Sequence, residues 1–201
     1  MDKKLFWILF ISVIVFISVL LLLDFSFFRM IDLHGKTIQD FFSYSGFRTF
    51  FLMVTNIMSI IGILVILGAT IYFLRGKKAK KIIFLYIASI ISCFIITNLI
   101  KILVKRARPL DMLLDVPGFS FPSSHSSISV VVYGYMIILL NKYYQGRRKK
   151  IYIALCFFLI LLTGLSRIYF GVHYITDVIG GFSLGIIFLC VAYFIIKKID
   201  K

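Results

Sequence analysis

Glutamate is absent from this 201-residue chain, and all eight of its acidic residues are aspartate. Sites that hold a catalytic metal normally gather several carboxylates around Mg²⁺, or a His and carboxylate set around zinc. Asp111 and Asp115, four apart in DMLLD, are the one acidic pair close to other reactive residues, and no metal is expected there. No Walker-type glycine loop is present either, which removes nucleotide binding of that kind. The three cysteines, Cys93, Cys156 and Cys190, lie singly inside apolar runs without CxxC spacing. That excludes a disulfide framework and leaves buried thiols that pack as small hydrophobes.

Charge is scarce as well. Only 15% of the residues are charged and 61% are hydrophobic, with a mean hydropathy of +1.04. A soluble domain is about 45–50% apolar, so this chain cannot cover itself with polar surface. Collagen, disorder and a soluble globular domain are all excluded. The net charge of +15 does not indicate a nucleic-acid partner, because the basic residues punctuate apolar segments.

What is abundant is long apolar sequence. A helix needs about 20 apolar residues to cross the hydrocarbon layer. Runs at 5–23, 50–74, 82–100 and 178–196 meet this directly. Two shorter runs reach it only by taking in neighbouring polar residues, giving spans at 123–140 and 151–170. The expectation is an all-α integral membrane bundle of six transmembrane helices, forming a single domain over 1–201. The first run is longer than a signal-peptide core, and the Asp24-Phe25-Ser26-Phe27 that follows offers no small-residue cleavage site, so it reads as a retained span. Residues 24–49 mix aromatics with charges, which suits an interfacial segment on the outer side.

Basic residues set the orientation. With six spans both termini share a side, which also holds Lys3, Lys4, the 75–81 loop, the 141–150 loop and Lys197, Lys198 and Lys201. That side carries 15 of the 23 Lys and Arg residues with only Asp2 and Asp200 against them. It is expected to be cytoplasmic. On the opposite side, KILVKRARP concentrates four cations where the topology rule disfavours them. Lys105 and Arg106 read there as side chains snorkelling to lipid headgroups.

Ionisable groups at membrane depth are costly and therefore functional candidates. Three clusters fall on the outer side: Lys101 with Arg108-Pro109, then Pro122-Ser123-Ser124-His125, then Ser166-Arg167 followed by His173 and Asp177. Three fixed cations, two histidines, a carboxylate and several hydroxyls suit an oxyanion such as phosphate. Pro122 followed by small polar residues opens a helix whose free N–H groups can face that anion. His173 and Asp177 are four apart, on one face if helical. A carboxylate on one ring nitrogen leaves the other nucleophilic, and His125 is then available as general acid. An Arg167–Asp177 structural salt bridge is the plainer alternative for those two residues. His34 has no partner pattern and reads as incidental.

Together the clusters resemble the signature of the type 2 phosphatidic acid phosphatase family, K-x6-RP, PSGH and SR-x5-H-x3-D. Lys101-x6-Arg108-Pro109, Pro122-Ser123-Ser124-His125 and Ser166-Arg167-x5-His173-x3-Asp177 stand in the same order, across residues 101–177. The resemblance implies that Lys101, Arg108, Arg167 and Ser123 hold phosphate. It further implies that His173 forms a phosphohistidine with Asp177 orienting it, that His125 serves the leaving group, and that no cofactor or metal takes part. Ser124 departs from the family glycine and either shifts the anion or adds a hydroxyl to it.

The expected activity is hydrolysis of a lipid phosphate or pyrophosphate at the outer face of a bacterial plasma membrane. Undecaprenyl pyrophosphate, phosphatidylglycerophosphate and phosphatidic acid are the candidate substrates. Phosphotransfer to another acceptor, and non-catalytic binding or transport of a lipid anion, are the alternative functions. No nucleic-acid partner is expected, and oligomeric state is open.

Overall fold

The computed structural model describes residues 3–43, 46–75 and 80–199. Asp2, Lys77, Lys78, Asp200 and Lys201, which entered the charge asymmetry, lie outside the described residues, as do positions 44–45 of the interfacial segment. Helices make up the architecture: α1 (Lys3–Leu21), α2 (Ser26–Ser43), α3 (Arg48–Ile57), α4 (Ile60–Leu74), α5 (Lys80–Val104), α6 (Ser124–Tyr143), α7 (Lys149–Tyr169) and α8 (Ile175–Ile199).

Five of these, α1, α5, α6, α7 and α8, are each long and apolar enough to cross a bilayer. α3 and α4 qualify only as a pair, bent by 56°, so the run at 50–74 is two helices meeting at a sharp bend rather than one. The cause is local. Ser59 takes an extended conformation, and its hydroxyl accepts the Gly62 N–H at 3.3 Å, starting a new helix there. The preceding turn is closed by Ser59 N–H on Asn56 O at 3.0 Å.

α6 is the centre of the bundle, and every residue from 126 to 135 is buried. It packs most extensively on α8 and α7, then on α5, while α1 packs along α8 and both α2 and α3 lie on α7. Close approach of α6 and α8 depends on small residues. A Cβ at Gly181 would stand 2.6 Å from the Ser123 carbonyl oxygen and 2.9 Å from Ser126 Cβ. Between α5 and α6, Tyr86 stacks on Tyr135 at 4.6 Å, a pair worth about 0.5–1.5 kcal/mol beyond its buried area. The thiols of Cys93, Cys156 and Cys190 are buried and free.

The two ends of the bundle differ in character. Leu5 of α1 shares a hollow with Lys142 of α6 and Lys197 of α8, which gathers those basic helix ends together. The opposite end collects the end of α1, the 105–123 segment and the junction of α7 with α8. There α2 turns its polar side inward. Asp32 and Gln39 are buried, whereas Phe27, Met30 and Leu33 are exposed.

Candidate active site

At this second end a cavity of about 480 Å³ opens between α5, α6 and α7. Six of the eight residues anticipated from the sequence line it: Lys101, Arg108, Ser124, His125, Arg167 and His173. Asp177 lies behind His173, and Ser123 lies beneath the start of α6.

The side chains are delivered by helix ends and by the segments that join them. Lys101 occupies the last turn of α5, where Nζ donates to the carbonyls of Phe119 and Ser120 at 2.9 Å each. The non-helical 105–123 segment then carries Arg108, which donates to Gly118 O at 3.0 Å, Val172 O at 2.6 Å and Pro117 O at 3.2 Å. Both cations thus pin backbone carbonyls of the loop that walls the cavity.

Ser123 is fully buried and serves as the N-cap of α6. Its hydroxyl accepts the Ser126 N–H at 3.4 Å and the Ser126 hydroxyl at 2.9 Å. The side chain expected to touch phosphate is therefore occupied in starting the helix and does not line the cavity. Ser124 and His125 follow as the first residues of α6, where backbone N–H groups lack intrahelical acceptors. Ser124, at the family's glycine position, adds its side chain to the cavity wall.

α7 ends in a left-handed glycine. Gly171 has φ +61, its N–H reaches Ile168 O at 2.9 Å, and Val172 N–H reaches Arg167 O at 3.3 Å. A glycine adopts this conformation without the Cβ penalty of other residues. The reversal puts Arg167, in the last turn of α7, beside His173. Arg167 is only 3% exposed; one nitrogen donates to Thr55 Oγ1 of α3 at 3.2 Å. Its Nε is the one buried side-chain nitrogen or oxygen among the described residues without a hydrogen-bond partner. Buried donors are nearly always satisfied, and an anion in the adjoining cavity suits this one.

His173 lies in the turn before α8, so its pairing with Asp177 comes from cap geometry rather than from a shared helical face. Asp177 is the third residue of α8, and its Oδ2 accepts the Tyr174 N–H at 2.9 Å, in the manner of an acidic residue closing a helix N-terminus. The same oxygen stands 3.4 Å from His173 Nδ1. On the ring's other side, Arg108 Nη1 is 3.4 Å from Nε2. A carboxylate can only accept and a guanidinium can only donate. Together they assign the proton to Nδ1 and the lone pair to Nε2. Burial drives the His173 pKa down to about 4 against the upward pull of Asp177, with Lys101 and Arg167 adding to the lowering. The imidazole is consequently neutral at pH 7. His125, across the cavity, is half-buried, and no described residue forms a side-chain hydrogen bond with it.

Two expectations are corrected by the geometry. Arg106 does not snorkel: its side chain is 15% exposed and paired with both Asp32 and Asp177. Arg167 makes no salt bridge with Asp177, whose Oδ1 is held by Arg106 instead. Asp111 pairs with Lys36 at 3.6 Å, and among the described residues no group of three or more His, Cys, Asp or Glu is placed to hold a metal ion. His34 is exposed and bonded to Met30 O at 2.9 Å. Sequence reasoning missed Asp32, Thr55, Arg106 and Thr176. Asp32 and Gln39, seven apart and hence on one helical face, were the available signal for α2.

Fold and site together define a multi-pass membrane protein with a basic, histidine-bearing pocket at one end of its helices. The chain belongs to the PAP2 superfamily, whose family model matches residues 82–201. Phosphatidylglycerophosphatase B of Bacillus subtilis (strain 168) is 32% identical over 142 residues, spanning 69% of this chain and 66% of that protein. Lipid phosphate phosphatase delta of Arabidopsis thaliana is 26% identical over 140 residues, or 63% of this chain and 33% of the relative. The match thus covers just under two thirds of the first relative and one third of the second. The fold is similar to the crystal structure of a transmembrane PAP2-type phosphatidylglycerolphosphate phosphatase from Bacillus subtilis. The TM-score is 0.78 at 24% identity, over 95% of this chain and 96% of that one.

Proposed function

We propose that the protein is a lipid phosphatase that hydrolyses a phosphate monoester at the outer membrane–water boundary through a phosphohistidine. The observation that carries this reading is the convergence of Lys101, Arg108 and Arg167 on a cavity lined by an aspartate-held histidine, with a second histidine across from it. The three cations neutralise the phosphate oxygens, and the first N–H groups of α6 add to them. Nε2 of His173 attacks phosphorus. The bond from phosphorus to the lipid oxygen breaks, and His125 gives that oxygen its proton. In the second half, water loses a proton to His125 and attacks phosphorus. The P–N bond breaks, inorganic phosphate leaves and His173 is regenerated. Asp177 holds Nδ1–H throughout and supports the positive charge on the ring.

A lipid substrate is supported by the α5 side of the cavity, where Phe94 and Ile102 are more than half exposed beside Asn98. Acyl chains can lie along these residues while the headgroup reaches the cations. Phosphatidylglycerophosphate is favoured among the candidates by the name of the Bacillus relative. The outer location rests on the asymmetry of basic residues, and the interfacial seat of α2 rests on its exposed apolar side.

The test is phosphate release from phosphatidylglycerophosphate in detergent with EDTA present, with undecaprenyl pyrophosphate and phosphatidic acid in parallel. Wild type is expected to turn over the first most rapidly and to trap an acid-labile phosphoenzyme, both lost in His173→Ala. Wild-type silence on all three lipids would overturn the reading. Inhibition by EDTA would replace the fixed cations with a metal, and undiminished release by His173→Ala would remove the covalent step.

A further inference from the structure

Behind Asp177 stands a buried charge network in which none of the groups touches the cavity chemistry directly. Arg106 Nη1 donates to Asp177 Oδ1 at 2.6 Å and to Thr176 Oγ1 at 2.8 Å, while Nη2 donates to Asp32 Oδ2 at 2.5 Å. Asp32, on α2, also accepts the Thr176 N–H at 3.0 Å and the Thr176 hydroxyl at 2.9 Å. The guanidinium lies 4.1 Å over the Tyr174 ring. The Asp32 and Asp177 side chains are 5% and 0% exposed. One planar guanidinium therefore bridges two buried carboxylates with separate nitrogens, a use of its fixed, spread donors for which arginine rather than lysine is suited.

The arrangement constrains Asp177 completely. Oδ1 is held by Arg106 and Oδ2 by the Tyr174 N–H, which leaves Oδ2 aimed at His173 Nδ1. The groups facing His173 are Lys101 from α5, Arg108 from the 105–123 segment, His125 from α6, Arg167 from α7 and Asp177 from α8. Asp177 is the sole anion among them. Whatever sets the charge and direction of that carboxylate sets the basicity of the imidazole.

Resting on the reading of His173 as nucleophile, we propose that Asp32 and Arg106 are positioning residues for the reaction. Arg106, anchored by Asp32 from α2, holds the Asp177 carboxylate against His173 and limits how much of its negative charge the ring feels. Asp32 in turn keeps Arg106 from lending its whole charge to Asp177. For Arg106 itself, burial opposes the cation but Asp177 and Asp32 outweigh it, so its pKa stands above the ordinary value. It remains a fixed charge across the working pH range.

The two residues act with opposite sign, which a purely structural role does not predict. Losing Arg106 frees the full Asp177 charge to favour imidazolium, so the acidic limb of the kcat–pH profile moves up from the low pH set by a His173 pKa of about 4. Losing the Asp32 charge leaves Arg106 drawing on Asp177 alone, so that limb does not move up. The experiment is the kcat and KM profile between pH 4 and 8 on phosphatidylglycerophosphate micelles with the full chain. The variants are Arg106→Gln, Arg106→Lys, Asp32→Asn and the double variant Asp32→Asn/Arg106→Gln, with the folded fraction read from thermal unfolding.

Arg106→Gln is expected to lose at least tenfold in kcat with little change in KM and to raise the acidic limb by about one pH unit. Arg106→Lys is expected to restore the wild-type limb with partial kcat. Asp32→Asn is expected to lower kcat without raising the limb. Profiles that superimpose on wild type after scaling for folded protein would overturn the proposal. So would a raised limb in Arg106→Lys, which keeps the charge and decides the matter if the neutral variants do not fold. A wild type without turnover, or a His173→Ala that keeps it, would instead refute the proposed function.

Discussion

The tautomer of His173, the proposed nucleophile, is set by partners of opposite hydrogen-bonding character. Asp177 can only accept and Arg108 can only donate, so the tautomer needs no further device. Because its pKa is depressed to about 4, mainly by burial, the reactive neutral form persists well below neutrality. Activity limited by this group stays flat as pH falls from 7 toward 5 and is lost as protons bind near 4, which a pH–rate profile on phosphatidylglycerophosphate will check. His125 is separable from His173 by leaving group. His125→Ala should lower the rate on a lipid phosphate by about 10²–10⁴-fold but do much less on p-nitrophenyl phosphate, whose leaving group needs no proton. At this scale the residues lining the cavity were legible because each cluster is local in itself, Lys101 with Arg108, Pro122 to His125, and Ser166 to Asp177, and each combines residue types that membrane depth makes costly. The sequence did not carry Arg106. Its partner Asp32 lies 74 residues away, so four cations in a row read as lipid-facing. Nor did it reveal that the Ser123 hydroxyl serves as a helix cap.

Helix ends do most of the positioning, and their packing is unforgiving where α6 meets α8. Gly181→Ala places a methyl group within 2.6 Å of the Ser123 carbonyl, directly under the N-cap of α6. A cost of about 1–3 kcal/mol is expected for such overpacking, with activity falling alongside stability as the start of α6 shifts. Gly68→Ala on α4 faces open space and should leave the unfolding temperature in detergent unchanged or slightly raised. The pair of melts checks both. The apolar runs coincide with the five helices long enough to cross a bilayer, because length and hydropathy are properties of the run itself. The bend at 58–59 escaped because it turns on one serine hydroxyl within an apolar stretch. The inward polar side of α2 escaped in part: its two-sidedness was visible, but not which side met protein.

Over the whole molecule, the reactive end and the lysine-rich end are separated by the length of the bundle. If the basic end is cytoplasmic, Asp115→Cys, exposed near the cavity, should react with a membrane-impermeant maleimide in intact cells. Arg147→Cys, at the other end, should react only after permeabilisation. The native thiols are buried and give little background. Reversed labelling would put the cavity on the cytoplasmic face. The match to the family begins at residue 82, after α2, yet Asp32 belongs to the network that fixes Asp177. Under the proposed positioning role, positions 32 and 106 are expected to vary together across relatives, one on each side of the point where the family match begins. A relative without the acid on its second helix is then expected to lack the arginine too, or to bring in another anion, and a chimaera that exchanges only the helices ahead of the shared core is expected to leave Arg106 without its second carboxylate partner.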